Sequence, residues 1–288
     1  MRPKLYGGVE LGGTKTICAI ADADGNLSAH TIFPTTSVDE TFDAIFEFFE
    51  QNVTVVSLGV GSFGPVQLNQ HSSEYGYIYN SPKSGWSRVD VKGALEARLK
   101  TVVTIDTDVN CAAIGELYFG VAKQARNFIY LTLGTGIGGS LISDGKVIHG
   151  ILNLEMGHVR VPHEPFTDNF KGTCAYHGDC LEGISSGFAL AQRFGRKSED
   201  ITDKKIWDTE AEYIASALHN LMMTIGPEII VLGGGLTNHT DLIKNIRTKV
   251  RESINSYLEF PDLENYIRQS SGEINGVLGA IKLTSLSD

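Results

Sequence analysis

The chain has 288 residues, 42% of them hydrophobic, and a formal net charge of −10. That is room for two domains or one large one, a composition ordinary for a globular protein, and no electrostatic basis for binding nucleic acid. No window approaches the roughly 20 apolar residues of a membrane helix, Met1 to Gly8 holds no apolar run of signal-peptide type, and four cysteines, two of them in a metal-like cluster, suit a reducing compartment; a cytoplasmic protein with no membrane partner is expected.

Residues 5–11 read as an apolar strand, Gly12-Gly13-Thr14-Lys15 as a turn, 16–21 as a second strand and Asp24-Gly25 as a further turn. Such a hairpin turn offers bare backbone N–H groups, a hydroxyl and an ammonium, all suited to a phosphate. Its spacing is not that of a Walker A loop, and a plain hairpin is the alternative. Ser37-Val38-Asp39-Glu40 is a capping box opening a helix to about Gln51, with Phe42, Ile45, Phe46 and Phe49 at core spacing. Residues 53–60 read as a buried strand broken by the glycines of 59–65, and Gly64 then lies in a loop where open α/β sheets bind ligands. After residues 75–79 comes a polar loop in which Asn80 can both donate to and accept from ligand hydroxyls, with an Asx-type turn before Pro82 as the alternative.

Residues 101–105 form another buried strand, ending in Asp106-Thr107-Asp108-Val109-Asn110 ahead of a small-residue helix. A carboxylate at a helix N-terminus stays ionised and can take a proton from a hydroxyl, which leaves simple capping to the other aspartate. Residues 128–133 are a strand, Gly134-Thr135-Gly136 opens a glycine-rich turn, and a strand at 141–143 leads to Asp144-Gly145. This repeats the first hairpin and reads as a weak internal duplication. Two such turns facing each other across a cleft would grip the phosphates of a nucleotide from both sides.

The stretch 155–182 is the densest in chemistry. His158, Cys174, His177 and Cys180 are four N/S ligands of the kind that close a structural zinc site, and the glycines among them let the loop fold them onto one point. A Cys174–Cys180 disulfide beside two unrelated histidines is the alternative, and His163 is a substitute ligand for His158. Glu155 and Glu182 flank the cluster as acceptors for a polar ligand. Helices are expected at 186–194, 204–225, 240–258 and 276–286, and a strand at 228–232. That strand runs into Gly233-Gly234-Gly235-Leu236-Thr237, where bare backbone admits a flat ring or a ribose. The alternation of strand and helix argues α/β. The expected division is a smaller domain at 1–108 and a larger one at 109–274 that carries the metal loop, with a helix at about 275–288 packing back on the first.

Together these motifs resemble the ROK family of sugar kinases, in its fructokinase-like branch, over nearly the whole chain. Gly12-Gly13-Thr14-Lys15 and Leu133-Gly134-Thr135-Gly136-Ile137-Gly138 resemble the family's two phosphate loops, and Gly233-Gly234-Gly235 its adenosine-side loop, with Leu236 and Thr237 beside it. Thr107-Asp108-Val109-Asn110 resembles the catalytic-base motif and implies Asp108 rather than Asp106. Glu155-Met156-Gly157-His158 matches the Glu-x-Gly-His signature, and Glu182 the glutamate after the last zinc cysteine. The commoner family zinc motif has three cysteines, whereas Cys174-x2-His177-x2-Cys180 resembles the fructokinase-like members. The regulatory members' N-terminal helix-turn-helix is not expected before a first strand at about Leu5.

The resemblance implies duplicated actin-like, ribonuclease H-like α/β domains and ATP-dependent, Mg²⁺-requiring phosphorylation of a hexose by a homodimer. D-fructose, converted to fructose 6-phosphate, is the first choice of acceptor, with glucose, mannose or an N-acylated hexosamine as alternatives. A non-catalytic sugar sensor and a sugar-independent ATPase are the readings from other classes. Asp108 would be the general base. Gly64, Asn80, Thr107, Glu155, His158 and Glu182 would join it around the sugar, with His158 binding Zn²⁺ through one ring nitrogen and the sugar through the other.

Overall fold

In a computed structural model of the protein, which describes residues 3–81, 83–150, 153–163, 169–257, 259 and 262–286, three antiparallel strands open the chain: β1 (Tyr6–Leu11), β2 (Lys15–Ala21) and β3 (Leu27–Pro34). Helix α1 (Val38–Glu50) starts where the capping box predicts, with the Ser37 hydroxyl accepting from the Glu40 N–H. Then come β4 (Ser57–Ser62), the short pair β5 (Tyr77–Ile78) and β6 (Val89–Asp90), α2 (Val91–Leu99), β7 (Val102–Thr107) and α3 (Asp108–Tyr118). The second half holds β8 (Phe128–Leu133), β9 (Ile137–Ser143), β10 (Lys146–Val147), α4 (Leu181–Ser185), α5 (Gly187–Phe194), α6 (Lys204–Ile225), β11 (Ile229–Gly233), α7 (Leu242–Ile254), α8 (Leu263–Tyr266) and β12 (Ile267–Gln269). The chain closes with α9 (Asn275–Ser285). Pro82, Leu258 and residues 287–288, which the sequence reading placed in a turn and two helices, lie outside the described residues.

The chain divides into two units, Met1–Gln124 with Ser271–Asp288, and Ala125–Ser270. The first break falls after α3 rather than at Asp108, because α3 and α9 pack backbone against backbone. A Cβ on Gly115 would lie 1.9 Å from the Asn275 carbonyl oxygen, and one on Gly279 1.8 Å from that of Cys111. Buried Glu116 adds a polar clasp, accepting from Val121 N–H at 2.8 Å, Ser271 N–H at 3.2 Å and Asn275 Nδ2 at 2.8 Å. Glycine to alanine inside a helix ordinarily gains about 1 kcal/mol. At Gly279 the contact reverses the sign, and Gly279→Ala is expected to cost about 1–3 kcal/mol, read as a lowered urea midpoint at unchanged m-value.

Among the described residues, the first unit's sheet runs β3-β2-β1-β4-β7 and the second's β10-β9-β8-β11-β12. In both, the first three strands are antiparallel and the last two join in parallel, so the duplication seen in the two hairpins extends to the whole sheet. This is the two-domain actin-like α/β fold. Separate apolar clusters fill the units: Val9, Ile45, Leu58 and Trp86 belong to the first, Leu131, Ile214, Leu218 and Ile230 to the second.

Several readings of strands change, among them the strand expected at 141–143, which already starts at Ile137 and takes in Gly138 and Gly139. Val53 and Val56 are exposed, and the expected strand at 53–60 starts only at Ser57 and runs unbroken through Gly59 and Gly61 to Ser62. Those glycines admit neighbours: a Cβ on Gly59 would lie 1.8 Å from the Ala280 carbonyl oxygen of α9, and one on Gly61 2.8 Å from Cys111 Cβ of α3. Strand β3 was not expected at all. It is a sheet edge whose residues alternate between exposed and half-buried, so it carries no apolar pattern.

Candidate active site

In the first unit the turn Gly12–Lys15 joins β1 to β2, and its shape is fixed from within and from β3. Gly12 N–H donates to the Lys15 carbonyl at 3.0 Å, Thr35 N–H to the Thr14 carbonyl at 2.9 Å, and the Thr35 hydroxyl to the Gly12 carbonyl at 2.7 Å. Thr35, a clamp for this turn, had no motif to mark it. A Cβ on Gly13 would meet nothing within 4 Å, so the bare backbone there faces open space. The Lys15 ammonium is paired with Glu273.

The two aspartates separate by environment. Asp106 is buried in β7, and its Oδ1 accepts from Thr107 N–H and from Asn110 Nδ2, each at 2.7 Å. The Thr107 hydroxyl caps α3 by accepting from Asn110 N–H at 3.1 Å. Asp108 is half-buried in the first turn of α3, with Oδ1 accepting from Val109 N–H at 2.9 Å. Asp106 and Thr107 therefore build the strand-to-helix junction, and Asp108 sits in the helix's favourable field for an anion.

Glu10, the only acid in the run 5–11, was missed by the sequence reading. Its Oε2 is buried without a hydrogen-bond partner, and Gly276 makes room for it: a Cβ there would lie 2.4 Å from that oxygen. Burial first, and the Asp108 charge second, push its carboxyl up to about 7. Gly64 lies on the half-buried loop after β4, and Asn80 is exposed. The local turn there uses Ser81 Oγ, which accepts from Lys83 N–H at 3.1 Å.

In the second unit the turn 134–136 joins Leu133 to Ile137. Gly134 N–H is engaged by the Gly136 carbonyl at 2.9 Å, so the backbone donor expected from Gly134 is used inside the turn. Gly136 is bare for a reason other than open space, since a Cβ there would lie 2.7 Å from Glu182 Oε2. Thr135 is exposed. Of the triple glycine, Gly235 alone faces open space. Gly233 makes room for the Tyr130 hydroxyl, and Gly234, at φ +86°, packs on Leu133. Leu236 and Thr237 turn their side chains inward, Thr237 Oγ1 donating to the Gly234 carbonyl at 2.7 Å.

The loop 172–183 folds tightly about Gly178, which has φ +64° and closes a pair of backbone bonds with Cys174. The result gathers His158, Cys174, His177 and Cys180, whose ligand atoms all lie within 4.8 Å of one another. Cys180 Sγ is 3.4 Å from His158 Nδ1, and Cys174 Sγ is 3.7 Å from His158 Nδ1 and 3.6 Å from His177 Nδ1. Both cysteines are free, so the disulfide alternative is not formed. His163 stands apart, buried beside Tyr213 with Nδ1 3.6 Å from Asp179 Oδ2. Burial pushes the Cys180 thiol up to about 11, a cost that a bound cation would reverse.

With Nδ1 facing the sulfurs, His158 turns Nε2 the other way, 3.9 Å from Glu182 Oε1. Glu182 Oε2 accepts from Ile137 N–H at 2.9 Å. Burial raises the Glu155 carboxyl, with His158 opposing and Glu182 adding to the shift. The second unit thus holds a glycine-rich turn, a four-ligand cluster and, about His158, the carboxylates of Glu182 and Glu155.

A family model described as the ROK family matches residues 6–286. A fructokinase of Lactococcus lactis subsp. cremoris is 41% identical over 94% of this chain and 93% of its own. One of Pediococcus pentosaceus is 39% identical over 97% of each. Among solved structures, a ROK hexokinase from Thermus thermophilus superposes with a TM-score of 0.78 at 25% identity, covering 98% of both chains.

Proposed function

The chain belongs to the ROK family, and from that premise we propose that it is an ATP-dependent sugar kinase that transfers the γ-phosphoryl group to the 6-hydroxyl of D-fructose. The observation that carries the acceptor is the full-length similarity to fructokinases at 39–41% identity. The hexokinase likeness at 25% supports a broader hexose range as the second reading.

Phosphoryl transfer leaves the protein mainly positioning and charge neutralisation, with a carboxylate to orient the attacking hydroxyl and take its proton. Asp108 suits that part, held by α3 and half-exposed, while Asp106 is consumed in the junction. In the first unit Gly13, Thr14 and Lys15 would meet phosphate oxygens, with Lys15 exchanging Glu273 for the anion. In the second, Thr135 and the Gly136 N–H would do so, and the open backbone at Gly235 would receive the nucleoside. Among the sugar contacts, Gly64 and Asn80 belong to the first unit and Glu155, His158 Nε2 and Glu182 to the second.

Magnesium fits the first unit. Glu10 Oε2, buried and unpartnered, is the kind of oxygen that a hard divalent cation satisfies, and this carboxylate would hold it. When bound, Mg²⁺ neutralises charge on the β- and γ-phosphates. Zinc fits the second unit. With Zn–S near 2.3 Å and Zn–N near 2.0–2.1 Å, a tetrahedron has S-to-N edges of roughly 3.6 Å, and the Cys180–His158, Cys174–His177 and Cys174–His158 separations are 3.4, 3.6 and 3.7 Å. All four positions would be filled by protein, so the metal would shape the loop and fix the His158 ring, as a metal bond on one nitrogen decides what the other can do. A homodimer is the assembly this reading takes from the family.

The test is coupled ADP release across fructose, glucose, mannose and N-acetylated hexosamines. Highest kcat/KM on fructose supports the proposal, highest kcat/KM on another hexose replaces the acceptor with that sugar, and no turnover on any sinks the kinase reading.

A further inference from the structure

The glycine turn of the second unit is braced by the segment that carries the metal and sugar motifs. Ile137, the first residue after the turn, donates its N–H to Glu182 Oε2 at 2.9 Å. Gly157 packs on the same residue so closely that a Cβ there would lie 1.8 Å from the Ile137 carbonyl oxygen. The carbonyls of Gly134 and Thr135 accept from Gly187 and Phe188 N–H at 2.8 and 3.1 Å. Glu182 itself follows the buried Cys180 by two residues, in the first turn of α4. A backbone N–H given to a carboxylate is a charge-assisted bond, roughly twice as strong as a neutral one. A turn that must present its backbone to phosphates gains from being held in place before the ligand arrives.

We propose that Glu182 is a positioning residue for the second glycine turn: by holding Ile137 it sets the affinity for nucleotide phosphates independently of any sugar. This rests on reading residues 134–136 as a phosphate turn. The bare position at Gly136 is the steric counterpart of the same contact. Gly136 is not a positive-φ residue, and alanine there is opposed by the Glu182 carboxylate, 2.7 Å from its Cβ. Metal loss would reach the nucleotide by the same route, through Cys180 and α4.

The test is calorimetric titration of ADP with Mg²⁺ into the full-length, metal-replete chain without sugar. Glu182→Ala is expected to weaken ADP on the order of tenfold. Glu182→Gln keeps a carbonyl oxygen for the Ile137 N–H and should stay within about threefold of the parent, while its fructose KM stays raised because the charge is lost. That split is one a merely structural role would not produce. Gly136→Ala should weaken ADP in the parent by displacing the carboxylate, and do so much less in a Glu182→Ala background. Unchanged ADP affinity in Glu182→Ala overturns the inference, as does Gly136→Ala acting equally in both backgrounds. A parent protein that binds no ADP contradicts the phosphate-turn reading itself, a separate result.

Discussion

Asp108→Asn is expected to lower kcat by about 10²–10⁴-fold, the usual worth of general-base assistance. The substitution preserves size and the first-turn acceptor of α3, since an amide oxygen can still receive the Val109 N–H that Asp108 Oδ1 accepts at 2.9 Å. What it removes is the carboxylate proposed to take the hydroxyl proton. Both KM values should therefore move little, which is the pattern of an interaction made only in the transition state. Asp106→Asn is the control, and its signature differs. Asp106 Oδ1 holds Thr107 N–H and Asn110 Nδ2 in a buried site, so its loss should appear as lowered stability. Thermal melts beside initial rates separate the two. Near-normal kcat in Asp108→Asn, with a folded but inactive Asp106→Asn, would transfer the role to Asp106.

Cys180→Ser is expected to release about one zinc per chain and raise the fructose KM by at least the 10–100-fold typical of losing an outer-shell partner of a metal site. Serine offers no thiolate, and the position is fully buried, so the remaining three ligands cannot be rescued by water without opening the loop. The damage should spread to His158, whose ring is oriented through Nδ1, and through α4 to Glu182. Atomic absorption on the purified chain and sugar kinetics before and after a strong chelator are the measurements. A protein that contains no zinc, or a Cys180→Ser variant with parental sugar kinetics, contradicts the metal's role.

Long periodic elements were legible from the chain alone. β8 and α6 fall on the expected residues, and the Ser37 box starts α1 where it should. Legibility failed where a neighbour distant in sequence decides the outcome. Glycine weakens a strand by local propensity, yet Gly59 and Gly61 continue β4 because α9 and α3 press against it. The same close packing carries α3 into the first unit. In the candidate site, motif spacing picked out the residues of the four-ligand cluster, but whether His158 or His163 completes the set depends on how the chain returns past Asp179. Glu10 left only one acid in an apolar run. The second task of Glu182, at Ile137, exists only once β9 and α4 are side by side. Gly136 shows the limit of reading a glycine as room for ligand, since its missing side chain makes room for a carboxylate.

The most direct test of the central claim is the identity of the product. The chain, ATP, Mg²⁺ and D-fructose are incubated together, and the mixture is followed by phosphorus NMR with authentic standards. The account predicts fructose 6-phosphate appearing in step with ADP, and its formation slowed in proportion in Asp108→Asn. Inorganic phosphate with unmodified fructose, or phosphate placed on the 1-hydroxyl, would contradict it.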